Sequence, residues 1–246
     1  MFIDYSYDLH IHSCLSPCGD EDMTVNNIAG MAALNRLSIA ALTDHNSSKN
    51  CPAFYTACRR NGVVPVAGME LTTAEEIHLI CLFELLEQAA EFDEKVYACL
   101  PDVKNRESIF GQQLILDDCD NVIGKEEKLL INATTLSLAD AWTLVKKCEG
   151  VCYPAHIDRE ANGIVAILGT FPEKPEFGFY ELNNADNYDK YREEYPILKK
   201  LKMLSCSDAH YLYNINEAVN TVALPDRAGS AEIRHELFGY IRGQTQ

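Results

Sequence analysis

The chain has 246 residues, with 37 Asp and Glu against 21 Lys and Arg, a formal net charge of −16. Its 47% hydrophobic and 24% charged residues exclude wholesale disorder. The acidic balance argues against a surface for long nucleic acid, no apolar run is long enough to span a bilayer, and MFIDYSYDLH lacks the pattern of an export signal, so a cytoplasmic location is expected.

The predicted elements alternate. DYSYDLHIHS reads as a strand, followed by a helical pattern from about Thr24 to Leu37 with Thr24 as N-cap. SIAALTD is a short apolar strand, then comes a helix from Pro52 to Arg60 closed by Asn61-Gly62. VVPVAGMEL and IHLICLF are further apolar runs, and residues 84–100 have helical spacing. The stretch from Gln112 to Ala133 reads as strand-turn-strand, so 84–135 is expected to be an excursion within one domain covering 1–246. After LADAWTLVKKCEG the alternation resumes with VCYPAHI, GFYELNN, a helix around Lys190 to Leu201, KMLSCSDAH and NTVAL, and a helix from Ala231 to Arg242 follows. Strand-then-helix order points to βα units, a parallel sheet and a barrel-like α/β domain. The ten cysteines are scattered and read as reduced, and Cys14 and Cys18 lack a second pair that would complete a zinc site.

Six of the seven histidines fall in short motifs at or near strand ends. His10 and His12 lie two apart on a strand, which puts both imidazoles on one face. Asp44 and His45 follow SIAALT, Glu70 follows VVPVAGM, His156 follows VCYPA, and Asp208 and His210 follow KMLSC. In a parallel barrel these ends converge over one mouth. Imidazole with carboxylate is the donor set of zinc, iron or manganese, and the donors are too many for one ion. His78 is the misfit, because it starts IHLICLF instead of ending it. His235 is left over.

DLHIHS, LTDHN, GMEL, EIHLICLF, PAHID and SCSDAH, in this order, resemble the polymerase and histidinol phosphatase (PHP) superfamily of metal-dependent phosphoesterases. The resemblance implies a distorted (β/α)₇ barrel that holds two or three divalent transition-metal ions (zinc, manganese or iron). It implies His10, His12, His45, Glu70, His78, His156, Asp208 and His210 as ligands. Members carry one more ligand after HxH, for which SPCGDED offers Asp20, Glu21 and Asp22. Asp20 is taken because it follows a turn-forming Gly. The sequence departs from the family's AHP at Ile157, which puts only the local loop shape in doubt.

The implied chemistry is hydrolysis of a small phosphorylated metabolite or nucleotide by metal-activated hydroxide. Asp44 is a candidate partner orienting an imidazole. Arg159, three residues past His156, is the candidate grip on phosphate, its other reading being a solvated loop Arg. Glu181, ending GFYE, reads as a structural carboxylate at the barrel rim. The alternatives are a nuclease, a histidinol phosphatase, a non-catalytic metal-binding domain, and an amidohydrolase, for which no Lys ends a predicted strand.

Overall fold

The computed structural model describes residues 1–243. Strand β1 (Phe2–Ile11) leads to helix α1 (Val25–Leu34), β2 (Ile39–Leu42), α2 (Cys51–Arg60) and β3 (Val64–Thr72). β4 (His78–Phe83) follows β3 with no helix between them, and α3 (Leu86–Cys99) comes next. A short helix α4 (Glu107–Phe110) precedes strands β5 (Leu114–Leu116) and β6 (Val122–Lys125). Then come α5 (Leu138–Lys147), β7 (Val151–Pro154), α6 (Ile164–Leu168), β8 (Phe179–Glu181), α7 (Tyr188–Glu194), β9 (Lys202–Leu204), β10 (Thr221–Pro225) and α8 (Ser230–Ile241). Thr24 caps α1 by accepting from the Asn27 N–H. The helix expected over 190–201 is split. α7 stops at Glu194 and a 3₁₀ turn starts at Pro196, which lacks the N–H a continuing helix needs.

Six strands form one sheet in the order β10-β1-β2-β3-β4-β7, and β8 and β9 form a parallel pair. β1, β2 and β3 are parallel, and a parallel bridge from Ile11 to Ala209 brings the chain after β9 back against β1. The sheet is thus curled into a distorted barrel. It is not all parallel, however. β4 runs antiparallel to β3 and β7, and β10 runs antiparallel to the first half of β1. This reversal explains the misfit histidine: Thr72 pairs with His78, so the start of β4 lies at the same end of the barrel as the finish of β3.

Period-2 alternation sorts the strand residues into two packed layers. Ile39, Ala41, Val64, Val66, Ile80, Leu82, Val151 and Tyr153 fill the barrel interior. Ala40, Leu42, Ala67, Met69, Leu71, Leu79, Cys81 and Cys152 pack against the helices. Both faces are covered, which is why β3 and β4 are buried at every position and read as continuous apolar runs. On the interior face, Val64 and Val66 continue to Gly68 and Glu70, and Leu82 and Ile80 continue to His78. β1 is different. Its register against β2 shifts between Asp8 and Ile11, so Leu9 packs inside while Ile11 packs outside, a bulge of the kind that re-aims side chains beside sites.

Within 84–135, α3 packs on the barrel through Ala89, Phe92 and Val96. The β5–β6 hairpin is a separate antiparallel pair with Val122 and Ile123 exposed. No helix among the described residues is long and apolar enough to cross a membrane.

Gly68 lies one step below Glu70. A Cβ there would sit 2.8 Å from Thr43 Cγ2 and 2.9 Å from both the Cys81 carbonyl and Leu82 Cδ2. Gly68→Ala should therefore destabilise the chain by about 1–3 kcal/mol through overpacking, read from the denaturant midpoint. An unchanged midpoint would mean that the barrel floor below the site is loosely packed.

Candidate metal centre

Backbone hydrogen bonds fix the ends of the strands that carry the donors. The Asn46 N–H donates to the Glu70 carbonyl at 3.0 Å, and the His12 N–H to the Ala209 carbonyl at 3.0 Å. The Ala155 N–H donates to the His78 carbonyl at 3.1 Å. Alternation breaks after β7 and β9. His156 and Asp208 take left-handed backbone angles, with φ of 26° and 50°, and Asn46 beside His45 has φ of 47°. Such conformations concentrate at functional sites, where the surroundings hold them.

The result is a ring of imidazoles around one carboxylate. Glu70 Oε1 lies 2.7 Å from His78 Nδ1, 3.1 Å from His156 Nε2 and 3.4 Å from His10 Nε2. Glu70 Oε2 lies 3.2 Å from His12 Nε2 and 3.1 Å from His45 Nδ1. Asp208 Oδ1 is 3.2 Å from the Nε2 atoms of both His10 and His12. The donor atoms fall into three groups: His10, His12, Glu70 and Asp208; His45, Glu70 and His78; and His12, His45 and His210. All are buried except His210, whose side chain is 21% exposed, so the cluster meets solvent on that side.

Two observations test whether these residues fit metal ions. Donors about 2.0–2.2 Å from a shared ion stand roughly 3.0–3.5 Å apart, the spacing seen here. In addition, His45 Nδ1, Glu70 Oε2 and Asp208 Oδ1 are buried with no hydrogen-bond donor or acceptor. Buried polar atoms without partners are costly, and three within one cluster of donors mark a place for cations. The donor set fits.

The outer ring nitrogens of His10, His12 and His210 are each occupied, which aims their Nε2 atoms inward. His10 Nδ1–H donates to Glu181 Oε1 at 3.0 Å, and Glu181 also accepts the His156 backbone N–H at 3.2 Å. His12 Nδ1–H donates to Ser16 Oγ at 3.0 Å, and Ser16 Oγ–H donates to Asp44 Oδ1 at 2.7 Å. His210 Nδ1–H donates to the Asp208 carbonyl at 2.8 Å. Each bond fixes a tautomer whose Nε2 lone pair is available to a metal.

Charge follows the same plan. Burial would lower His12, but hydrogen bonds to Asp208 and Glu70 push it up to about 9. His10 is likewise raised, against burial, by the charges of Glu181, Asp208 and Glu70. Burial holds His45 well below the usual imidazole value and, with the charge of His12, brings His210 down to about 4. Despite burial, the surrounding imidazoles keep Glu70 and Asp208 below the usual carboxylate range. Burial raises Asp44, against His12 and the hydroxyls of Ser13 and Ser16.

Of the residues expected from sequence, His10, His12, His45, Glu70, His78, Asp208 and His210 supply atoms to these groups, and His156 reaches Glu70. Asp44 serves His12 through Ser16, not its neighbour His45. Arg159 is 43% exposed in its side chain and donates from Nη1 to Asp208 Oδ2 at 2.5 Å, at the edge of the cluster. Asp20 is not brought in. Its backbone N–H reaches the His210 carbonyl, but its carboxylate accepts the Asp22 N–H and belongs to none of the groups. His235 pairs with Glu84, away from this centre. Glu181 is a correction: it is 1% exposed and bonded to His10, not a rim carboxylate. Its signal was present, a carboxylate ending a strand like Glu70, but its partner lies 171 residues away in sequence. Cys14 and Cys18 join no donor group, and all ten cysteines are free.

Glu181→Ala should weaken divalent-metal affinity by about 10–100-fold, and Glu181→Gln, which keeps an acceptor but no charge, by less. Competition against a chromophoric chelator measures both. Wild-type affinity in both variants would leave Glu181 with a purely structural role.

The PHP domain model matches residues 8–210. No curated protein matches the sequence. Among solved structures, the lesion-specific endonuclease PfuEndoQ from Pyrococcus furiosus is similar at a TM-score of 0.66 and 18% identity, over 99% of this chain. The chain spans only 57% of that protein's length. A Bifidobacterium adolescentis protein described as a metal-dependent phosphoesterase is similar at a TM-score of 0.57 and 15% identity, over 95% of this chain and 96% of its own. An amidohydrolase from Chromobacterium violaceum with bound sulfate is similar at 0.57 and 18%, over 93% and 96%. At these identities the likeness shows the fold. The family match, over most of the sequence and through every donor-bearing strand end, places this chain in the PHP domain family.

Proposed function

We propose that the chain is a metal-dependent phosphoesterase that hydrolyses a small phosphomonoester, a phosphorylated metabolite or nucleotide. The observation that carries this reading is a cluster of buried donors, three of their atoms unpartnered, with Arg159 bonded to Asp208 at the edge where His210 meets solvent. Two or three divalent ions (zinc, manganese or iron) bound there would lower the pKa of water and neutralise phosphate oxygens. His10, His12, Glu70 and Asp208 would hold one ion, and Glu70 with His45 and His78 a second, with His156 and His210 at the margins.

The chain's own groups do the rest. Arg159 carries a planar fork matched to phosphate, and its bond to Asp208 holds it against the cluster. Glu181, Asp44 and Ser16 orient the imidazoles. Tyr211 and Tyr213, which follow His210, are 42% and 79% exposed and stack on each other, offering a surface to a planar leaving group. The net charge of −16 favours a small anion held locally over a long polyanion. The free cysteines suit a reducing compartment such as the cytoplasm.

Phosphate release from nucleotides, sugar phosphates and histidinol phosphate, assayed with Mn²⁺, Zn²⁺ and Fe²⁺ beside cleavage of oligonucleotides, tests the reading. Monoester turnover supports it. Oligonucleotide cleavage without monoester turnover would transfer the site to a nuclease.

Arg159→Ala should lower kcat/KM by an amount equivalent to about 2–4 kcal/mol, the loss of one donor to developing charge. Arg159→Lys should also be impaired, because it keeps the charge but loses the fork. Metal content should not change in either variant. Wild-type kinetics in Arg159→Ala would make it a solvated loop residue.

A further inference from the structure

The β5–β6 hairpin is joined to the centre by one buried side chain that the sequence did not single out. Asn50, the N-cap residue of α2, is fully buried, yet it makes no capping bond to its own helix. Its Oδ1 accepts the Leu116 N–H at 2.9 Å, and its Nδ2 donates to the Leu114 carbonyl at 3.1 Å and to Ser13 Oγ at 2.9 Å. Ser13 Oγ–H in turn donates to Asp44 Oδ2 at 2.7 Å. Asp44 Oδ1 accepts from Ser16 Oγ–H, and Ser16 Oγ accepts from His12 Nδ1–H.

The direction of every link is forced. A hydroxyl has one proton and two lone pairs. Ser13 Oγ already receives the Asn50 amide and the Leu15 N–H, so its proton must go to Asp44. Ser16 Oγ receives the His45 N–H at 3.1 Å and has a single proton, which Asp44 takes. What remains for His12 is to donate from Nδ1, leaving Nε2, 3.2 Å from both Glu70 and Asp208, as the atom that would join an ion once its proton is displaced.

We propose that Asn50 is a positioning residue that makes the hairpin part of the support of His12, so that hairpin docking and metal binding at His12 strengthen each other. This rests on the reading of His12 as a metal ligand. Coupling between two sites is reciprocal, so an ion at His12 should protect the Leu116 amide just as the docked hairpin sharpens the ion's site.

The test uses the full chain stripped of metal and titrated with Zn²⁺ against a competing chelator. Asn50→Asp keeps the shape and the acceptor for Leu116 but presents an acceptor to Ser13 where the donor was. It should bind Zn²⁺ about 10–100-fold more weakly, as should Asn50→Ala. Zn²⁺ should slow hydrogen exchange at Leu116 in the wild type and not in Asn50→Asp. Gln113→Ala is the control. Gln113 is a buried amide that bonds Glu126, Lys128 and Leu130 within the same segment without touching the chain to His12, so its loss should leave Zn²⁺ affinity unchanged. Wild-type affinity in both Asn50 variants, or an equal drop in Gln113→Ala, would overturn the inference alone. A wild-type chain that takes up no Zn²⁺ would overturn the metal reading, and this inference with it.

Discussion

A buried carboxylate surrounded by five imidazoles is the constraint on which the site and much of the barrel mouth depend. Glu70 is 1% exposed. Taking an ionised carboxylate out of water costs several kcal/mol unless opposite charge and hydrogen bonds replace the solvent. His10, His12, His45, His78 and His156 surround it, and they come from four strands or their ends. The imidazoles cannot all be cationic at once, since they repel one another: His45 and His210 are held neutral beside a cationic His12. Divalent ions would relieve both problems, replacing protons on the raised imidazoles and supplying charge to the carboxylates. The antiparallel turn into β4 is the topological consequence, because it brings His78 to the glutamate through a loop of only five residues.

The sequence made the donor types and most positions legible because period-2 spacing and strand ends are local signals. HxH is readable since residues two apart share a face. His78 was readable only through resemblance, because strand direction is decided by pairing with β3 and β7, which a linear pattern does not carry. Asp20 stands outside the donor groups for a related reason. Its carboxylate closes its own turn onto the Asp22 N–H, an Asx arrangement that competes with any outward role. Glu181 and Asn50 were under-read because their meaning lies in contacts far along the chain.

The fold itself leaves the reaction open, since similar barrels include an endonuclease, a phosphoesterase and an amidohydrolase. What separates such activities is the space and charge outside the metal donors. On the solvent side of this centre stand one guanidinium tied to Asp208 and one partly exposed imidazole, that of His210. Those groups, and not the donors themselves, are what a substrate would meet first on its way to the centre.

Backbone strain gathers around this centre, and at His156, Asp208 and Asn46 hydrogen bonds hold it in place. Left-handed angles at non-glycine residues cost on the order of 1–3 kcal/mol each. His156 is held by its N–H bond to Glu181, and Asp208 by the His210 ring on its carbonyl. Asn46 is held by its own amide, which accepts the Thr72 N–H and donates to the Leu130 and Asn132 carbonyls. The excursion therefore clamps β2 and β3 through Asn46, just as it reaches β1 through Asn50. A segment that looks like an insertion along the sequence is, in three dimensions, the outer wall against which the donor-bearing strand ends are set.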